Sequence, residues 1–164
     1  MSSANKTQIG GTHYKVSHEH WDYTALALEG RYFEGNISKY VIRHRKKGDA
    51  LNDLYKALHY IDKLMELTVE GVIKPLDHSF KYDIQEFIVA NGLNSYEAFV
   101  VRRLAHWEGI NQLNDVRGTI YLLVEHERER LQRMEAIKAG GLDWRSAMDA
   151  EAEDAGPGYS NQDR

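Results

Sequence analysis

Apolar residues recur at intervals of three and four along most of this chain, the spacing that places side chains on one face of an α-helix. The clearest example lies between residues 50 and 70, where the apolar stripe consists of Leu51, Leu54, Leu58, Ile61 and Met65. Weaker patterns predict helices over residues 21–29, 34–46, 82–91, 95–107 and 113–138. Glycines, which end helices at low conformational cost, follow at positions 30, 48, 71 and 140. The pattern predicts an all-α fold, a compact bundle of about six helices.

The same pattern predicts the domain organisation. We expect a flexible N-terminus, a helical domain, a second helical half and an acidic, largely disordered tail, over residues 1–9, 10–74, 75–140 and 141–164. Short matches relate the two helical halves, as between Phe33-Glu34 and Tyr96-Glu97, or Leu51-Asn52-Asp53-Leu54 and Leu113-Asn114-Asp115-Val116. Two degenerate three-helix repeats would explain these matches, and so would the chance similarity of short helical patterns.

Composition narrows the class of protein. The 164 residues are 42% hydrophobic and 28% charged, as in an ordinary globular domain, and the net charge of −4 gives no overall bias toward nucleic acid. The absence of cysteine excludes a disulfide scaffold, cysteine-ligated zinc and a thiol nucleophile. No apolar run approaches the roughly 20 residues of a membrane helix, and no signal-peptide core follows Met1. We therefore expect a cytoplasmic protein with no membrane partner.

The most basic segment spans residues 36–47 and contains no acidic residue; its cations are Lys39, Arg43, Arg45, Lys46 and Lys47. On a helix, one face would carry Asn36, Lys39, Tyr40 and Arg43, whose side chains are donors suited to phosphate oxygens. Ile37 and Val41 would face the core. The alternative is a solvated helix end that complements the helix dipole.

The following helix carries a second polar stripe, formed by Asp53, Lys56 and Tyr60. The short turn at Gly48 should make the two helices antiparallel, so that both stripes line one cleft. Asp53 would then hold Lys39 or Arg43 in place. An exposed ion pair of Asp53 with Lys56 is the simpler alternative.

Three motifs together resemble the family of phage-encoded nucleotide kinases. They are the opening Gly10-Gly11-Thr12-His13-Tyr14-Lys15, the core Gly35-Asn36-Ile37-Ser38-Lys39-Tyr40 with Arg43, and the close Asp53-Leu54-Tyr55-Lys56-Ala57 with Tyr60. The resemblance covers residues 8–67. It implies phosphoryl transfer from a nucleoside triphosphate to a deoxynucleoside monophosphate, in a homo-oligomer of the host-cell cytoplasm. No cofactor is required, although Mg²⁺ can accompany the nucleotide. The chain has no G-x-x-x-x-G-K-[ST] loop, so cationic side chains would replace it.

Phosphoryl transfer would give each candidate residue a role. The catalytic set is His13, Lys39, Arg43 and Asp53: Lys39 and Arg43, together with Lys46, would bind the phosphates, Asp53 would orient the cations, and His13 would handle protons near neutral pH. The backbone of Gly10-Gly11-Thr12 would form an anion-binding nest. The nucleotide-binding set consists of Gly11, Thr12, Tyr14, Asn36, Tyr40, Lys46, Lys56 and Tyr60.

Two other functions stay open on the sequence. An all-α nucleoside triphosphate pyrophosphatase would hold Mg²⁺ with carboxylates at helical spacing, as in Asp49/Asp53 and Glu66/Glu70. A non-enzymatic phage binding module would use the basic helix for a nucleotide signal, nucleic acid or a host protein. The pair His18 and His20 invites a metal hypothesis, but the neighbouring residues do not complete a ligand set, so we expect no metal site.

Overall fold

The computed structural model describes residues 20–76 and 82–140. These ranges are 77% helical and contain no strand. The all-α prediction is therefore confirmed. The predicted flexible N-terminus and acidic tail lie outside the described residues.

Six α-helices follow one another in the described ranges, and each overlaps a predicted helix. They are α1 (His20–Leu26), α2 (Tyr32–Arg43), α3 (Ala50–Val69), α4 (Ile84–Asn91), α5 (Ser95–Ala105) and α6 (Ile110–Lys138). A short 3₁₀ turn, His44–Lys46, continues α2. Helix α4 begins later than predicted because the side chain of Asp83 accepts a hydrogen bond from the backbone of Glu86 and caps the helix there.

The chain divides into two compact units, Met1–Val124 and Glu125–Arg164. The first holds α1 to α5 and the beginning of α6, so both predicted halves contribute to it. In the second, Arg130 donates two hydrogen bonds to the carboxylate of Glu127, at 2.8 and 2.7 Å. No helix of the described ranges combines the length and the apolar character that crossing a membrane requires.

The core of the first unit follows the predicted apolar faces. Ile37 and Val41 of α2 are fully buried, as are Leu54 and Ile61 of α3. The phenol of the buried Tyr23 donates to the carbonyl of Val101 at 2.8 Å and ties α1 to α5. These contacts fix the backbone of α2 and α3, on which the candidate site lies.

Helices α2 and α3 run antiparallel. Arg43, at the end of α2, contacts Asp53 near the start of α3, whereas Tyr32, at the start of α2, contacts Tyr60 further along α3. The turn between them passes through Gly48, whose φ of +81° is a left-handed conformation that favours glycine. The predicted antiparallel arrangement of the two polar stripes is therefore observed.

Buried glutamates occur at equivalent positions of α2 and α5. Glu34 accepts hydrogen bonds from Arg31 at 2.8 Å and from the indole of Trp107 at 3.2 Å. Glu97 accepts two bonds from Arg45. Each glutamate is the third residue of its helix, which agrees with the proposed correspondence of the two halves. The duplication itself stays a prediction.

Candidate functional site

Three cationic side chains of α2 and α3 converge on the ring of Tyr40. The ammonium nitrogens of Lys39 and Lys56 lie 4.8 and 5.7 Å from the ring centroid, and the guanidinium carbon of Arg43 lies 4.7 Å from it. Asp53 supplies a carboxylate beside them. We call these five residues the cation cluster. Its three positive charges face one negative charge, so the cluster carries excess positive charge.

The ion pair of Arg43 with Asp53 organises the cluster. Arg43 donates from Nε to Oδ2 at 2.7 Å and from Nη2 to Oδ1 at 2.8 Å. The two side chains are only 12% and 5% exposed. Such a bidentate bond fixes the plane of the guanidinium as well as its position. Asp53 therefore orients Arg43, the arrangement that the sequence suggested.

Lys39 experiences the excess positive charge most directly. Burial lowers the pKa of its ammonium, and Arg43, Lys47 and Lys56 lower that pKa further, against the opposing effect of Asp53. Its Nζ donates to Oδ1 of Asn36 at 3.3 Å, a neutral partner. An anion placed here would relieve the repulsion, so the surroundings of Lys39 favour a negatively charged ligand.

Aromatic rings continue the site along α2 and α3. The ring of Tyr40 stacks on Tyr60 with centroids 5.7 Å apart, and the ring of Tyr60 meets that of Tyr32 at 5.8 Å. The hydroxyls of Tyr32 and Tyr60 are 3.3 Å apart. This hydrogen bond is the main cause that raises the pKa of Tyr60 to about 12, with burial as the next cause. One end of the site is thus cationic and the other aromatic.

The last turn of the basic segment contacts other helices. Arg45 donates to both carboxylate oxygens of the buried Glu97, at 2.8 and 2.6 Å. Lys46, predicted among the nucleotide-binding residues, instead donates to the carbonyl of Asn91 at 3.2 Å. The helix tightens to a 3₁₀ turn at His44–Lys46, which changes the direction of these side chains. The structure therefore brings Lys46 to the end of α4 and not to the cation cluster.

A histidine of α1 contacts α2 at the residue that precedes Lys39. His20 Nε2 is 2.9 Å from the hydroxyl of Ser38, and its Nδ1 is 3.4 Å from the hydroxyl of Thr24. Burial, followed by the charge of Lys39, lowers the pKa of His20 to about 4. The ring of His20 is therefore neutral near pH 7. The sequence offered no signal for this contact because it joins residues 18 positions apart.

A protein-family model matches part of the chain. Residues 10–62 match a family described as a protein of unknown function, DUF3310. Neither the curated proteins nor the solved structures contain a significant match. The matched segment includes the whole cation cluster together with Tyr32 and Tyr60. The description of this family names no activity.

The other candidate residues are placed as follows. Asn36 donates from Nδ2 to the carbonyl of Tyr32 at 2.8 Å, so it links the aromatic and cationic ends of the site. Gly11, Thr12, His13, Tyr14 and His18 lie outside the described residues. The structure thus brings together Asn36, Lys39, Tyr40, Arg43, Asp53, Lys56 and Tyr60.

Three of the carboxylates considered for Mg²⁺ bind other side chains. Asp53 binds Arg43, Asp49 accepts from the amide of Asn52 at 2.9 Å, and Glu66 accepts from Lys63 at 2.7 Å. Among residues 20–76 and 82–140, no three His, Cys, Asp or Glu side chains gather closely enough to hold a metal ion.

Proposed function

We propose that this protein binds nucleotides by their phosphoryl groups at the cation cluster, and that its reaction transfers a phosphoryl group from a nucleoside triphosphate to a deoxynucleoside monophosphate. The observation that carries the proposal is the packing of Lys39, Arg43 and Lys56 around the ring of Tyr40, beside the carboxylate of Asp53. Phosphate oxygens would supply the missing negative charge. The resemblance to phage-encoded nucleotide kinases supports the choice of reaction.

The chemistry of the cluster suits this reaction. Phosphoryl transfer depends mainly on alignment of the reactants and on neutralising charge spread over the transferred group. Asp53 holds the guanidinium of Arg43 in one orientation, and Lys39 and Lys56 add two compact charges. A nucleotide would bring its own Mg²⁺ where one is used. The proton-handling role of His13 rests on the suitability of histidine for proton transfer near neutral pH.

The distribution of charge favours mononucleotides over a polynucleotide. Arg45 and Lys46, which would lengthen a basic strip, bind Glu97 and Asn91. The cationic groups around Tyr40 therefore form a compact cluster instead of a track that follows a phosphate backbone. A compact cluster fits the terminal phosphates of one nucleotide.

Calorimetry with nucleoside mono-, di- and triphosphates tests the binding. Replacing Lys39 or Lys56 by alanine should weaken binding about tenfold or more, since a charged hydrogen bond contributes about 1.5–3 kcal/mol. Lys63→Ala is the matched control, because Lys63 lies on the same helix and donates to Glu66. If both alanine variants keep their helicity and bind nucleotides as tightly as the unaltered protein does, the cation cluster is not the nucleotide-binding site.

A transfer assay tests the reaction. The γ-phosphoryl group of a labelled nucleoside triphosphate should appear in a deoxynucleoside diphosphate. Release of pyrophosphate from the nucleoside triphosphate would instead indicate that the protein is a pyrophosphatase. Nucleotide binding without transfer would leave a nucleotide-binding protein and contradict the kinase part of the proposal.

A further inference from the structure

An exposed aromatic ring at one end of the candidate site contacts two other rings. Tyr32 keeps 63% of its surface exposed. Its ring nevertheless meets the edges of Phe33 and Tyr60, with centroids 5.3 and 5.8 Å away. Its hydroxyl also lies 3.3 Å from that of Tyr60. The ring is therefore exposed and fixed at the same time.

Fixing an exposed ring prepares it for stacking. A tyrosine that moves freely loses rotamer freedom when a ligand stacks on it, whereas a ring already held loses little. Nucleobases stack on aromatic side chains through their flat faces, whatever their sequence. The exposed face of Tyr32 has the chemistry of a base-stacking surface.

Tyr32 lies along the same face of α2 as the cations Lys39 and Arg43. Tyr32 and Lys39 are seven residues apart on α2, which places them on one face and about 10 Å apart along the axis. Asn36 lies between them and bonds to both, through the carbonyl of Tyr32 and the ammonium of Lys39. A nucleoside phosphate can span this separation from its base to its phosphoryl groups.

From this juxtaposition we infer that Tyr32, supported by Tyr60, forms the subsite for the nucleobase. The ligand of the site is then a complete nucleoside phosphate, and not inorganic phosphate or a sugar phosphate. The inference rests on the proposed function, and it adds Tyr32 as the group that selects ligands with a nucleobase. Tyr40 and Tyr60 are half-buried, so the exposed ring of Tyr32 next to the cluster matches one base and not a run of bases.

The test compares two ligands that share a triphosphate. A nucleoside triphosphate and inorganic tripolyphosphate are titrated into the unaltered protein, Tyr32→Ala, Tyr32→Phe and Tyr55→Ala. Tyr55 is the control because it is an exposed tyrosine of α3 that precedes Lys56 and lies about 100° around the helix from it. Circular dichroism confirms that each variant is folded.

We expect Tyr32→Ala to weaken binding of the nucleoside triphosphate about tenfold to a hundredfold, which is the effect of losing one stacked base. Tripolyphosphate binding should stay within about twofold, and Tyr32→Phe, which keeps the ring, should bind both ligands nearly as the unaltered protein does. Tyr55→Ala should change neither affinity.

Each other outcome overturns a specific statement. If Tyr32→Ala binds the nucleoside triphosphate as tightly as the unaltered protein does, the base subsite is wrong while the phosphate site stands. The same holds if tripolyphosphate binds the unaltered protein as tightly as the nucleotide. Binding of neither ligand would contradict the proposed function itself. In a parallel titration with an oligonucleotide, a Tyr32-dependent preference for the oligonucleotide over the mononucleotide would show that the ligand is a nucleic acid.

Discussion

Breaking the buried ion pair of Arg43 and Asp53 should cost more stability than removing both partners. In Arg43→Met the carboxylate of Asp53, 5% exposed, loses two hydrogen bonds of 2.7 and 2.8 Å. Removing one partner of a buried pair typically costs about 3–5 kcal/mol. The positive charges of Lys39 and Lys56 remain near the carboxylate, so we expect the lower end, about 3 kcal/mol.

The reverse change leaves the opposite imbalance. In Asp53→Leu, Arg43 stays close to Lys39 and Lys56 without the carboxylate that offsets their repulsion, so we expect a loss of similar size. The double variant Arg43→Met/Asp53→Leu removes both the buried charges and their attraction. Its free energy of unfolding should lie within about 1 kcal/mol of the unaltered protein, because apolar replacements of a buried pair are often neutral.

Urea unfolding followed by circular dichroism measures all four proteins. The double-mutant cycle should give a coupling energy of several kcal/mol between Arg43 and Asp53. Variants of the exposed pair Lys63 and Glu66 serve as the control and should couple by less than about 1 kcal/mol. Additive effects of the two single changes would instead show that Arg43 and Asp53 do not share one buried environment.

Three further predictions concern packing, the buried Glu97, and pH. Gly35→Ala should lower the melting temperature, although alanine favours helices, because its Cβ would lie 2.9 Å from Cγ2 of Thr24. Adding Thr24→Ser, which removes that methyl group, should restore the melting temperature. Glu97→Gln should cost roughly 2–4 kcal/mol in urea unfolding, because the buried carboxylate binds Arg45 and caps α5. An unchanged urea midpoint would contradict this. The affinity for a nucleoside triphosphate should fall as pH rises through the pKa of Lys39, because the ammonium then loses its charge. Burial and neighbouring cations hold this pKa below the ordinary 10.5. In Lys39→Arg, titration calorimetry should find that fall moved to higher pH.

Local sequence patterns were sufficient for the helices and for most of the cation cluster. The stripe of Leu54, Leu58 and Ile61 is buried as its spacing requires. Lys39 and Arg43 meet Asp53 because all three lie in two helices joined by a short turn. The periodicity of each helix and the length of that turn then determine which side chains meet.

Contacts between distant segments could not be predicted in this way. Asn94 and Glu97 form a capping box at the start of α5, but no local pattern reveals that Arg45, 52 residues earlier, binds the glutamate. The same limit explains Lys46, whose partner Asn91 depends on how α4 packs. A run of cations therefore identified a basic segment without showing that it divides between a candidate site and structural ion pairs.

Nuclear magnetic resonance of protein labelled with ¹³C at the lysine Cε tests whether the cation cluster binds a nucleotide, because these signals report the charge and contacts of each ammonium group. Lys39→Arg, Lys56→Arg and Lys63→Arg assign the three signals. On addition of a nucleoside triphosphate, we expect the signals of Lys39 and Lys56 to shift with a common dissociation constant while the signal of Lys63 stays unchanged. Unchanged signals of Lys39 and Lys56 at saturating nucleotide would contradict binding at the cation cluster.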